Sequence, residues 1–274
     1  TPPGAGTGSD WFQGGITKLA LDPNNLSTVY AAVFGYGLWR SADGGLNWTQ
    51  VFHTLNQTAF GTKAPGDTFG DRVEFEAVDL GGGKTRIYLG DSSDDLGRSQ
   101  VWRTNDAASI VGDPNGAYTN AGWTELSSSA NGTNGFLAFN YCQTQCGYDD
   151  FVTSPAAQLG VGAGFVNTLW LGGSMNYDEL PAYNGAPPRS NGRGVIRSTN
   201  GGAVAADVSW QDMSATVGPA PSFSFTKGIH PDQHAVAFDP VDPNIAFVGS
   251  DGGVVRIDVR SPQEFTGEIL APPG

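Results

Sequence analysis

The sequence predicts an all-β fold, and within it a β-propeller built from four-stranded antiparallel blades. Three observations lead there. Short runs of Val, Ile, Tyr, Phe and Trp are cut throughout by Gly, Asn, Asp and Pro, the pattern of many short strands joined by turns. Glycine, at 40 of 274 residues, is about twice its ordinary usage, and the Ala/Leu/Glu/Lys runs of a helical bundle are missing. An arginine followed by an Asp- or Asn-containing turn returns along the chain at Arg40, Arg103, Arg197 and Arg256, spaced by 63, 94 and 59 residues. Four strands per unit at that period is the signature of propeller blades.

Each unit reads as strand, Asp-Pro-like turn, strand, Gly-rich turn, strand ending in Arg, Asp-containing turn, strand opening at Trp. In the first unit (11–52) the pieces are LALDP (19–23), TVYAAV (28–33), the turn SADGGLNW (41–48) and Trp48. The second (70–127) has FEAVDL (75–80), RIYLGD (86–91), RTNDAA from Arg103 and Trp123. The third (134–213) has DFVTSP (150–155), TLWLGG (168–173), RSTNGG from Arg197 and Trp210. The fourth (228–262) has VAFDP (236–240), IAFVGS (245–250) and a degraded copy, RIDVRS, at Arg256. The interval from Asp43, Asp106 or Asn200 to the following Trp is 5, 17 and 10 residues, so the later turns carry insertions. The repetition makes these residues scaffold. An Asx side chain accepts hydrogen bonds from amides of its own turn. Ser41 opens the turn, Gly45 supplies a permissive backbone, and the tryptophans pack between sheets. About four blades are visible in residues 1–274, which form one propeller domain, either a small closed ring or part of a larger propeller. Strong blade openings at both ends, and no closing strand after Arg260, favour the second. The segment 261–274 is a Pro-rich surface tail.

The net charge of −13, with 14 basic residues, excludes nucleic acid as a partner and disfavours an anionic membrane surface. No apolar run reaches the ~20 residues of a membrane span. Low lysine, abundant Asn, Ser and Thr, and two close cysteines point to an exported protein, extracellular or periplasmic. Cys142 and Cys146 are expected to form a disulfide closing a small loop; a metal site would need two further ligands. Asn25, Asn47, Asn56 and Asn131 stand in Asn-x-Ser/Thr contexts, which matter only in a eukaryotic secretory pathway. The chain opens at Thr1, which reads as a processed or excised end.

On its motifs the chain resembles the Asp-box family, the bacterial-neuraminidase repeat. SADGGLNW matches Ser-x-Asp-x-Gly-x-x-Trp without a mismatch. The segment from GGITKLALDP to GGLNWTQV is similar to the opening blade of xyloglucanase-like proteins. HPDQHAVAFDPVDPNIAFVGSDGGVVR (230–256) and SNGRGVIRSTNGG (190–202) look like blades of secreted bacterial repeat proteins. The resemblance covers most of residues 11–260 and implies a propeller; it implies less about activity, because function lives in sites and not in folds. Xyloglucanases place an acid in a Thr-Asp-x-Gly-Gly-like turn between the second and third strands, where the first blade here has Gly35 and Tyr36. Sialidases need three clustered arginines, whereas the arginines here fall one per blade.

Three constellations stand outside the scaffold. HPDQH holds two of the three histidines and places His230, Asp232 and His234 at alternating positions, on one face if extended. Two imidazoles and a carboxylate suit a divalent transition metal, and a structural role at the channel mouth is the competing reading. The cluster belongs at the entry to the innermost strand of the fourth blade, with Asp251 in the next turn expected nearby. GDSSDDLG (90–97) concentrates Asp91, Asp94 and Asp95 as oxygen ligands suited to calcium, or as a solvated acidic loop. The insertion 173–194 carries Tyr177, Asp178, Glu179, Tyr183 and Arg189, side chains that suit a glycan or another protein chain. No complete catalytic set is visible. The expectation is a secreted, non-catalytic binding or assembly module for a protein or glycan surface, completed by further blades or subunits where the ring is larger. The alternative is a xyloglucanase-like or sialidase-like glycoside hydrolase with part of its active site on blades outside this chain.

Overall fold

A computed structural model describes residues 15–54, 57–59, 62–63, 72–93, 98–112, 120–142, 147–160, 164–174, 194–213, 229–230 and 232–260. The first sheet contains β1 (Ile16–Asp22), β2 (Asn25–Val33), β3 (Gly37–Ser41) and β4 (Thr49–Phe52). A small hairpin, β5 (Gln57–Ala59) and β6 (Thr62–Lys63), follows. The second sheet is β7 (Val73–Asp79), β8 (Thr85–Ser93), β9 (Arg98–Thr104) and β10 (Thr124–Glu125). The third is β11 (Phe151–Thr153), β12 (Leu169–Gly172), β13 (Val195–Ser198) and β14 (Gln211–Asp212). The fourth is β15 (Gln233–Phe238), β16 (Ile245–Ser250) and β17 (Gly253–Asp258), three strands among the described residues. Every sheet is an antiparallel meander in chain order. The fold is all-β and propeller-like.

The sheets pack face to face in sequence, so the apolar interior falls into successive layers. Tyr30, Leu38, Phe52, Phe75, Leu89 and Trp123 form the layer between the first and second sheets. Tyr88, Val101, Tyr141, Leu169, Leu171 and Ile196 join the second to the third. Trp170, Val195, Ile229, Phe238, Val248 and Ile257 join the third to the fourth. The first strand of each sheet packs on the first strand of the next: β1 on β7, β7 on β11, β11 on β15. These strands are therefore the inner edge, and Asp149-Asp150 and Asp232, which precede β11 and β15, lie at one end of the sheets.

The repeated arginines have a specific job at the other end. Arg40 Nη1 donates to the carbonyls of Ala107 (2.5 Å) and Ala108 (2.8 Å), in the turn after β9 of the second sheet. Arg103 Nη1 donates to the carbonyls of Gly201 (2.5 Å) and Ala203 (2.7 Å), in the corresponding turn of the third sheet. Arg40 and Arg103, each at the end of a third strand, thus reach across to the next sheet's Asx turn, whereas Arg197 lies over the Trp170 ring of its own sheet. Arg86 repeats the reach from a second strand, binding Val166 O and Asn167 Oδ1.

Two features differ from the sequence reading. A short helix, α1 (Pro155–Leu159), follows β11 where a simple turn was expected. Ser154 caps it through the Ala156 N–H, Pro155 opens it, and Gly160 ends it in the left-handed region. Its Gln158 pairs with the β15 backbone, donating to Val236 O and accepting from Phe238 N–H. Asp91 was read as part of an acidic loop. It lies inside β8, opposite Val73 and Gln100, and is fully buried. The ladder continues past the Gly-Asp pair to Ser93, so Asp91 is held by strand pairing.

Candidate functional site

The Asx turns show what the repeated acids do locally. Asp43 accepts from Asn47 N–H (2.8 Å), Asn47 Nδ2 (2.6 Å) and the Ser41 hydroxyl (2.8 Å). Those donors, Asn47 first, pull its carboxyl down to about 2. Ser41 Oγ also accepts from Gly45 N–H (2.8 Å), and Gly45 has φ +94°, a conformation open mainly to glycine. Trp48 Nε1 closes the turn onto Gly45 O. In the third sheet Asn200 fills the same position: Oδ1 accepts from Ser209 N–H (2.9 Å), the residue immediately before Trp210, as Asn47 precedes Trp48. Asp106 departs from this pattern. Its lowered carboxyl is held by Ser109 and Lys84, and Lys84 Nζ lies 3.2 Å from it. Trp123 reaches across sheets, donating to Val51 O (2.7 Å) and packing edge-on against Phe52.

The opposite end holds a cluster of ionisable groups. HPDQH does not run straight. Ser174 and Asp232 form a one-residue bridge, Ser174 Oγ donates to Asp232 Oδ1 (3.0 Å), and Gln233 N–H donates to Gly173 O (3.1 Å). The register of β15 against β16 slips between Gln233 and Ala235, so His234 occupies a bulge, and a bulge re-aims a side chain. His230 Nδ1 lies 3.5 Å from Asp232 Oδ2. His234 faces two carboxylates, Nε2 at 2.5 Å from Asp251 Oδ1 and Nδ1 at 3.3 Å from Asp149 Oδ1. Asp251 stands in the turn from β16 to β17, its N–H donating to Asp232 O (3.3 Å). A Cβ at Gly252 would sit 2.8 Å from His230 Cβ, so the glycine lets that imidazole lie against the turn.

Burial separates the carboxyls of this cluster. Asp149 is 0% exposed, and burial, with Asp232 beside it, pushes its carboxyl up to about 7. Asp251 is exposed, and the His234 hydrogen bond holds its carboxyl below the usual range. Further along the inner edge, Lys18 of β1 lies 3.6 Å from Glu76 of β7, and Thr153 of β11 donates to the same carboxylate. Arg72 grips Glu74 (2.7 Å), and Tyr141 donates to Asp150 Oδ1 (2.8 Å). Burial raises the carboxyls of Glu76 and Asp150.

The structure thus brings His230, Asp232, His234 and Asp251 together and adds Asp149, which sequence reasoning passed over. Its signal was positional: Asp149-Asp150 stands immediately before β11, as Asp232 stands before β15. Asp91 lies apart from any loop site. Asp94, Asp95, Tyr177, Asp178, Glu179, Tyr183, Arg189 and Cys146 lie outside the described residues. Cys142 is buried.

No family model and no curated protein matches the chain. Solved structures that align with it include an ancestral GH74 enzyme, at 18% identity over 93% of this chain and 23% of that one, with TM-score 0.42. A GH74 enzyme of Niastella koreensis aligns at 20% identity over 88% of this chain and 36% of that one, with TM-score 0.34. The chain spans about a quarter to a third of the length of these proteins.

Proposed function

We propose that the chain is a secreted Asp-box β-propeller, or part of one, serving as a binding or assembly module. Its ligand face is the end that carries Asp149, His230, Asp232, His234 and Asp251. One observation supports this above the rest: the two ends of the sheets are chemically different. At one end the cations Arg40, Arg86 and Arg103 are spent on backbone carbonyls of the next sheet. At the other, imidazoles and carboxylates gather around turns, with His234 and Asp251 exposed. The Cys142–Cys146 disulfide belongs to the same reading, and resistance of both residues to a thiol-specific alkylating reagent before reduction tests it.

A second reading draws on the split between two carboxyls that share His234. Asp149 is pushed up to about 7 while Asp251 is pulled down. Environments that drive two acids apart are the arrangement a glycoside hydrolase uses for an acid and its partner. One experiment separates the readings: incubation with arrayed and soluble plant glycans, followed by measurement of retention and of released reducing ends. The binding module retains glycan without releasing reducing ends, and Asp251→Asn weakens retention while Asp43→Asn does not. Release that Asp149→Asn or Asp251→Asn abolishes selects the hydrolase. Retention indifferent to Asp149, His234 and Asp251 places the ligand face elsewhere.

A further inference from the structure

We infer that His230, Asp232 and Asp251 form a binding site for one divalent transition cation of the zinc class, with His234 and Asp149 as its outer shell. One imidazole nitrogen and one oxygen from each carboxylate lie within 4.8 Å of one another. Bonds of about 2.0–2.2 Å to a common ion need only a modest contraction of that set. The mixed nitrogen and oxygen donors favour a transition ion over calcium, which takes oxygen ligands.

An acidic cluster alone is commonplace. Here a second, independent observation points to a cation. Asp149 is 0% exposed, and neither of its carboxyl oxygens has a hydrogen-bond partner. An isolated buried carboxylate is costly unless a positive charge compensates it. Its neighbours in the cluster are Asp232, which repels it when both are ionised and can share only a proton with it, and His234 Nδ1 at 3.3 Å. A dication held by Asp232 and Asp251 supplies the missing charge to both. His234 then stands between Asp251 and Asp149, the way a second shell orients a ligating group. The backbone is shaped for this geometry. The bulge at His234 turns its ring toward Asp251, Gly252 leaves room for His230, and Ser174 fixes one oxygen of Asp232 while leaving the other toward His230.

The site does not depend on the binding-module reading, since cation binding without glycan retention removes only that reading. The test titrates the chelator-stripped full chain with zinc chloride by calorimetry, with calcium chloride in parallel. One equivalent of zinc is expected, with Kd in the micromolar range or tighter and at least about 10-fold tighter than calcium. His230→Gln and Asp232→Asn are expected to weaken zinc by about 100-fold or more, and His234→Gln and Asp149→Asn by about 10-fold. Asp43→Asn leaves it unchanged. Circular dichroism checks that each variant folds, and wild-type protein loaded with cobalt(II) provides a readout without mutation: visible bands that zinc displaces. No zinc binding at millimolar concentration, equal affinity for calcium, or zinc affinity indifferent to His230 and Asp232 overturns the inference, as does the absence of displaceable cobalt bands.

Discussion

At the residue scale, Asp43 and Asn200 hold equivalent places with different chemistry. Both present one side-chain oxygen to the N–H of the residue before a tryptophan, and both pair with a serine two residues upstream. What the turn needs is an acceptor, and ionisation adds strength through charge-assisted bonds. Asp43→Ala leaves the Asn47 and Gly45 region without its organiser and is expected to lower Tm by a few degrees. Asp43→Asn keeps the acceptor, as Asn200 does, and is expected to lose less than half as much. Thermal melts at pH 7 measure both. Equal losses in the two variants would show that the charge, not the acceptor, holds the turn. The Asp43 carboxyl, held at about 2, is lower when folded than its usual 3.8. Its contribution is therefore complete above pH 4 and fades as pH falls through about 2.

At the element scale, what joins one sheet to the next was only half legible in the sequence. The spacing of Arg40, Arg103 and Arg197 marks the repeat, and the strands follow from short β-rich runs such as TVYAAV and TLWLGG. The partners of Arg40 and Arg103 leave no trace in the sequence, because they are backbone carbonyls in the following unit. Helix α1 escaped for a different reason: five residues are too few to show a helical period, although Ser154-Pro155 and Gly160 mark its ends. Asp149 was passed over because the pair beside it was read only for its cysteines; its burial depends on how the third sheet meets the fourth. The arginine bridges are energetically testable. Arg103 is buried, and removing it leaves two carbonyls of the next turn without their charged donor. Arg103→Met is expected to cost about 2–4 kcal/mol in urea unfolding, at the usual strength of hydrogen bonds to a charged group. Hydrogen exchange should accelerate around Gly201–Ala203. Arg103→Lys should recover little, since a single ammonium lacks the guanidinium's planar reach. Unchanged exchange in that turn would show that the sheets are held by their apolar layers alone.

At the scale of the whole molecule, one end is built for cohesion and the inner edge stores unfavourable charge. Asp150 is the clearest case. It is buried beside Glu74, with Arg72 and Lys18 opposing the repulsion and the Tyr141 hydroxyl donating to it. Asp91 adds a further negative charge on Tyr141. Burial first, and then Glu74, raises the Asp150 carboxyl well above its ordinary 3.8. The folded state therefore holds this proton more tightly than the unfolded chain does. Its contribution to stability is complete below the ordinary carboxylate range and is lost as pH rises toward the folded value. Substitution by Asn removes that dependence while keeping an oxygen for Tyr141. The difference in Tm between Asp150→Asn and wild type, measured in chelator, is expected to be small near the ordinary carboxylate range and to grow in the variant's favour as pH rises above it. The opposite slope would mean that Arg72 and Lys18 outweigh burial and that Asp150 is held ionised. A constant difference would mean that the residue acts by packing alone. A chain that keeps such a group gives up stability at neutral pH along the same strands that lead to Asp149 and His234. That concession is what separates the inner edge from the arginine-bridged end, where Arg40, Arg86 and Arg103 are matched to carbonyls of the next sheet.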